Sequence, residues 1–105
     1  MQALLVLTNC PDAACARRLA QTLIEEQLAA CANLFPACES IYRWQGRIEQ
    51  ASEILLLLKS TASAYPVLER RIAELHPYDL PEIIALPVTQ GLPAYLNWLA
   101  AETVQ

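Results

Sequence analysis

Glycine and histidine are scarce in this chain: 105 residues hold two of the former, Gly46 and Gly91, and one of the latter, His76. With so few glycines, set against seven prolines, breaks in regular structure are sparse and each one is informative. The single histidine excludes a protease-type triad, because Cys10, Cys15, Cys31 and Cys38 each offer a thiol but only one base exists to serve them. Basic residues are outnumbered, 7 Lys and Arg against 11 Asp and Glu, for a net charge of -4. The positive field that drives non-specific nucleic-acid binding is therefore missing, and DNA and RNA are excluded as partners. No purely apolar run is longer than Ile54 to Leu58, far short of the ~20 residues a bilayer-spanning helix needs, so no membrane role is expected. The N-terminus has no basic region ahead of its apolar stretch, so no secretory signal is read and a cytoplasmic location is expected. No repeat, linker or low-complexity tract divides residues 1–105, which read as a single domain.

What is abundant is apolar surface. Hydrophobic residues make up 55% of the chain, more than a domain this small can bury alone, and a subunit interface is the usual destination for the excess. Four cysteines would allow disulfides, but a core this apolar needs no staples, and free thiols in a reducing compartment are expected. The spacings C-x4-C and C-x6-C match no zinc module. If Cys10 and Cys15 share a helix, they lie about 140° apart around its axis and diverge. Cys31 and Cys38 fall on opposite faces of one strand unless a bulge at Pro36 changes the phase.

Ala3 to Thr8 reads as a buried strand, followed by a helix with Pro11 in its first turn. Ala16, Leu19, Ala20, Leu23, Ile24 and Leu28 share one face of that helix, with Arg17, Arg18, Gln21, Glu25 and Glu26 opposite. Residues 30–44 and 48–58 form a long hairpin around Trp44-Gln45-Gly46-Arg47. Residues 61–75 repeat the helical pattern, with Ser63 as cap, Pro66 in the first turn, and Tyr65, Leu68, Ile72 and Leu75 on one face. A strand over 82–89 and a helix over 92–102 complete the chain. The order βαββαβ plus a short C-terminal helix is α+β and ferredoxin-like, an antiparallel sheet with helices on one face. Pro36 and Pro87 place the second and fourth strands at the edges, and the proline-free first and third strands at the centre. The sheet face without helices and the long hairpin are then the surfaces for pairing with further copies.

His76 lies in H-P-Y-D-L-P-E, where an imidazole can bind metal or move a proton, but capping the carbonyls of its own helix is the simpler role. Asp79 and Glu82 either orient it or are solvated loop carboxylates, the latter preferred. An RNA-recognition sheet is excluded because the central strands, L-L-V-L and I-L-L-L-L, lack stacking aromatics. Tyr42 and Trp44 alternate on one strand face, placed to stack a ligand or, as preferred, to pack across a subunit boundary; Tyr95 and Trp98 read as packing residues.

Four segments, L-A-A-C-A-N-L-F-P (28–36), S-I-Y-R-W-Q-G-R-I-E (40–49), H-P-Y-D-L-P-E-I (76–83) and L-P-V-T-Q-G-L-P-A-Y-L-N-W-L (86–99), together resemble the CutA family of divalent-cation tolerance proteins. The resemblance implies a ferredoxin-like homotrimer built by inter-subunit strand pairing, a cytoplasmic protein linked to copper and other divalent metals, and no catalytic activity or obligatory cofactor. It also implies an architecture shared with the PII signalling proteins, which bind small ligands between subunits. The family's copper ligands, a cysteine ending the first strand and two histidines before the Pro-Tyr, correspond here to Thr8, Leu75 and His76, so His76 alone is kept. Cys10, two residues beyond the strand-end position, and Cys31, which matches a cysteine typical of the family, complete the expected metal set of His76, Cys10 and Cys31 for Cu(II) or another divalent ion. The alternative is a PII-like small-ligand pocket lined by Tyr42, Trp44, Lys59, Tyr78 and Glu82, with Lys59 or Arg47 meeting an anion. A third reading is a trimeric scaffold for a partner protein.

Overall fold

Ala3 to Cys10, proline-free and apolar, forms the first strand, β1, in a computed structural model that describes residues 1–104. It is followed by α1 (Ala13–Glu25), β2 (Cys31–Trp44), β3 (Arg47–Thr61), α2 (Tyr65–Leu75), β4 (Ile84–Pro87) and α3 (Pro93–Ala101). The four strands make one antiparallel sheet in the order β2-β3-β1-β4. The proline-free strands are therefore central, and Pro36 and Pro87 sit on edges, where a missing N–H costs least.

Some boundaries differ from the pattern. Asp12 is extended and its carboxylate accepts the Cys15 N–H at 2.8 Å, so this side-chain cap starts α1 and Pro11 stays outside the first turn. Thr61 closes β3, and its hydroxyl, 3.3 Å from the Ala64 N–H, takes the place expected of Ser63. The last strand is shorter than expected, because regular pairing stops at Pro87. Leu75, expected in the core, is exposed in the last turn of α2. At the end of α1, Gln27 takes a positive φ of 57°, and the Leu28 and Gln27 N–H groups donate to the Leu23 and Ile24 carbonyls, a Schellman closure made without glycine.

Alternate residues of the central strands face α1 and α2. Val6, Thr8 and Cys10 of β1 and Leu56, Leu58 and Ser60 of β3 are buried there, against Ala16, Leu19 and Leu23 of α1 and Leu68 and Ile72 of α2. On the other face lie Leu5, Leu7, Leu55 and Leu57, with exposed Ile84 and Leu86 on β4 and Phe35 on β2. Helix α3 crosses one end of this second face, where Leu99 is buried and the Tyr95 ring lies 5.8 Å from Lys59 Nζ. Among the described residues no helix covers the remainder.

Beyond the end of β1, β2 and β3 continue as a two-stranded arm, giving a molecule 44 Å long and 25 by 23 Å across. Its tip is a two-residue turn with Gln45 at φ 50° and Gly46 at φ 80°, the paired left-handed conformation that matches strand twist. A Cβ on Gly46 would meet nothing within 4 Å, so only the dihedral calls for glycine. At the base of the arm Pro36 and Ala37 together face Ile54 alone, a bulge with Ala37 at φ 59°.

Candidate functional site

The end of β1, the end of α2 and the base of the arm meet at His76. Its backbone N–H closes α2 on the Ile72 carbonyl at 2.8 Å. Its side chain, 7% exposed, does not cap its own helix as expected: Nε2–H donates to the Asn9 carbonyl at 2.7 Å, while Nδ1 accepts the Tyr78 N–H at 3.2 Å. A carbonyl can only accept and a backbone N–H can only donate, so these two bonds select the Nε2–H tautomer. The imidazole thus ties α2 and its following loop to β1. The Tyr78 ring, 4.8 Å from that of His76, carries its hydroxyl to Glu53, donating to Oε2 at 2.7 Å. Burial first, then this bond to a carboxylate, raises the Tyr78 pKa.

Between the arm and the 77–84 loop opens a hollow of about 970 Å³. Tyr42, Trp44 and Tyr78 supply aromatic walls, and its charged lining groups, Glu53, Asp79 and Glu82, are all carboxylates. The bulge at Pro36–Ala37 places Tyr42 and Trp44 there: it shifts the pleat by one residue, so Cys38, Ser40, Tyr42 and Trp44 share the face of Cys31, Asn33 and Phe35. Cys31 and Cys38 therefore lie on one face, by the phase change that a bulge provides.

Of the expected pocket residues, Tyr42, Trp44, Tyr78 and Glu82 line the hollow, and Lys59 does not. Lys59 is six positions from Glu53 on β3, roughly 20 Å along the strand, and lies over Tyr95. Arg47, paired with Trp44 at the arm tip, is also absent from the lining. Asp79 and Glu82 are exposed and make no bond to His76, whose ring partners are Asn9 and Tyr78. Two residues of the hollow, Glu53 and Asn9, were not singled out from sequence. The available signal was polarity out of place: an amide directly after one apolar run and a carboxylate directly before another.

The expected metal set does not converge. Cys10 closes β1 next to Asn9, facing the helices, whereas Cys31 pairs with Lys59 on the opposite face of the sheet, level with Leu5. Thr8 is fully buried against the helices and its Oγ1 has no partner. Among the described residues no group of three or more His, Cys, Asp or Glu could hold a metal ion. The helical separation expected of Cys10 and Cys15 does not apply, because Cys10 is on the strand; both thiols sit in the same core cluster.

Burial first, with Cys15 next, pushes the Cys10 thiol from an ordinary 9.0 up to about 12. Tyr65 rises from 10.0 to about 12 through burial and its neighbour Glu69. An acid harder to ionise when folded retains its proton where the unfolded chain has lost it, so the stabilising contribution is complete below the unfolded value and lost as pH climbs to the folded one. Folding stability should therefore decline from about pH 9 towards pH 12, and Cys10→Ala should flatten the first part of that decline. Urea unfolding midpoints at pH 8, 9 and 10 check it; equal slopes in the two proteins would refute the role of Cys10.

Residues 4–102 match the family model described as CutA1, divalent ion tolerance protein. The divalent-cation tolerance protein CutA of Thermus thermophilus is 49% identical over 98 residues, 93% of this chain and 95% of its own. The solved divalent cation tolerance protein (Cut A1) from the same organism superposes with a TM-score of 0.95 at 47% identity, covering 97% of this chain and 99% of that one. CutA1 from Oryza sativa gives 0.97 at 37%, covering 100% and 96%. Sequence and fold agree along nearly the whole length, and the chain belongs to the CutA1 family of divalent ion tolerance proteins.

Proposed function

We propose that the protein serves divalent-cation tolerance as a cytoplasmic, non-enzymatic homotrimer. The observation that carries the assembly is the uncovered sheet face, where Leu7, Leu57, Ile84 and Phe35 lie side by side without a covering helix, continuous with an arm that exposes Ile41 and Ile48. Apolar area of that kind is what a subunit interface buries. The free thiols at 10, 15, 31 and 38 suit a reducing compartment. Soft-metal contact is proposed at His76 beside Cys10, with Cys31 separate on the other face. It requires the imidazole to release Asn9 or Tyr78, and the Cys10 thiol resists ionisation, so the affinity is expected to be modest.

Native mass spectrometry of the protein recovered from the cytoplasmic fraction, without metal and then with about one equivalent of Cu(II) per chain, tests this reading. A trimer taking up copper in a fixed ratio that His76→Ala abolishes supports it. Graded adducts that survive the substitution would make the copper adventitious, since Cu(II) outcompetes its neighbours for most nitrogen and sulfur donors. Recovery of the protein in a periplasmic extract would overturn the location.

A second reading, small-ligand sensing, is favoured by the hollow, which brings Tyr42, Trp44, Tyr78 and Glu82 together. Without Lys59 or Arg47 in its lining, the hollow is not furnished for an anion.

A further inference from the structure

We propose that the hollow between the arm and the 77–84 loop binds an organic ammonium ion carrying N–H donors, of the alkyl diamine or polyamine class. The proposal rests on the hollow being a ligand site and is independent of copper at His76.

Glu53 carries most of the argument. It is 7% exposed, its Oε2 accepts from the neutral Tyr78 hydroxyl, and among the described residues no Lys, Arg or His pairs with it. Burying a carboxylate without a countercharge is costly, and a cation in the hollow removes the cost. Asn9 adds an independent demand: it lines the same hollow, and its Oδ1 is buried with no donor to satisfy it. The rings of Tyr42, Trp44 and Tyr78 offer apolar walls whose faces attract positive charge. Asp79 and Glu82, exposed at the rim, add the field that draws a cation in.

Each rival ligand fails on one of these groups. An anion meets no positive group, since every charged side chain of the lining is a carboxylate. A bare divalent metal wants several converging oxygen ligands, which no group of three or more His, Cys, Asp or Glu among the described residues supplies, and makes no use of the aromatic walls. A quaternary ammonium suits the rings but brings no N–H to the Asn9 oxygen. A primary ammonium on a methylene chain satisfies the carboxylate, the amide oxygen and the rings at once, and the hollow has room for the chain.

Isothermal titration of the intact protein with putrescine, tetramethylammonium chloride, magnesium chloride and sodium glutamate tests the assignment. The expected result is saturable binding of putrescine with a change in tryptophan fluorescence, and binding of tetramethylammonium weaker by about tenfold. Glu53→Gln should weaken putrescine binding by about tenfold or more, the loss typical of removing one partner of a buried charge pair. Trp44→Leu, on the exposed arm, should weaken it several-fold and serves if the buried substitution fails to fold. Putrescine binding unchanged in both variants, or magnesium competing at equal concentration, would overturn the proposal. Glutamate binding in place of putrescine would leave a ligand site but reject the ammonium; binding of none of the four would reject both.

Discussion

Leu58→Ala should remove about 2–5 kcal/mol of folding stability and lower the thermal midpoint by roughly 10–20 °C. Leu58 lies on central strand β3 between Val6 of β1 and Ala32 of β2, is fully buried, and faces the layer of α1 and α2. Truncation there loses the transfer energy of the removed carbons and leaves a cavity that strands on both sides and helices above cannot close. Leu75→Ala, at the end of α2 and away from the proposed interface, removes the same side chain where it is 40% exposed, and should cost no more than about 1 kcal/mol. Calorimetry of the two variants side by side makes the check, and a Leu58→Ala loss below that of Leu75→Ala would contradict the assigned faces.

Leu57→Asp, one residue away, should leave the chain folded and break the assembly. The adjacent side chain points to the opposite, uncovered face, between Leu7 and Asn33, and in the single chain it is only half-buried. If that face is the trimer interface, the substitution buries an unpaired carboxylate in every subunit at several kcal/mol each. Every 1.4 kcal/mol is about tenfold in the dissociation constant, so association should fail at ordinary concentrations. Light scattering coupled to gel filtration should show the trimer mass of the parent protein collapse to the 11.6 kDa of one chain, with the circular dichroism spectrum retained. Persistence of the trimer would remove this face from the interface.

Much of the fold was legible because the local signals agree with one another. Proline supplied the strand order: Pro36 and Pro87 do mark the edges. The helical stripes of α1 and α2 matched the faces that are buried, apart from Leu75 at the end of α2. Where side-chain caps decided a boundary, pattern alone misplaced it by a few residues, as with Asp12 and Thr61. The site was legible only in part, because its geometry depends on register. Tyr42, Trp44, Tyr78 and Glu82 could be grouped by type and by resemblance, but the distance between Lys59 and the hollow is set by pairing along β3, which no local pattern states. Glu53 and Asn9 act through burial, a property of the assembled sheet, and in sequence they are only two polar residues beside apolar runs.

The bulge at Pro36–Ala37 works as a frame for everything beyond it. Absorbing the extra residue into the ladder, so that Ala37 rather than Cys38 faced Glu53, would restore strict alternation, and each side chain of the outer β2 strand would trade sides. Tyr42 and Trp44 would turn away from the hollow, and Glu39 and Arg43 would turn towards it. A carboxylate and a guanidinium would then stand on the side where two aromatic rings had been. The lining of the hollow is thus set by a count of peptide units, and a one-residue slip would strip it of two aromatic walls without altering any residue of the chain.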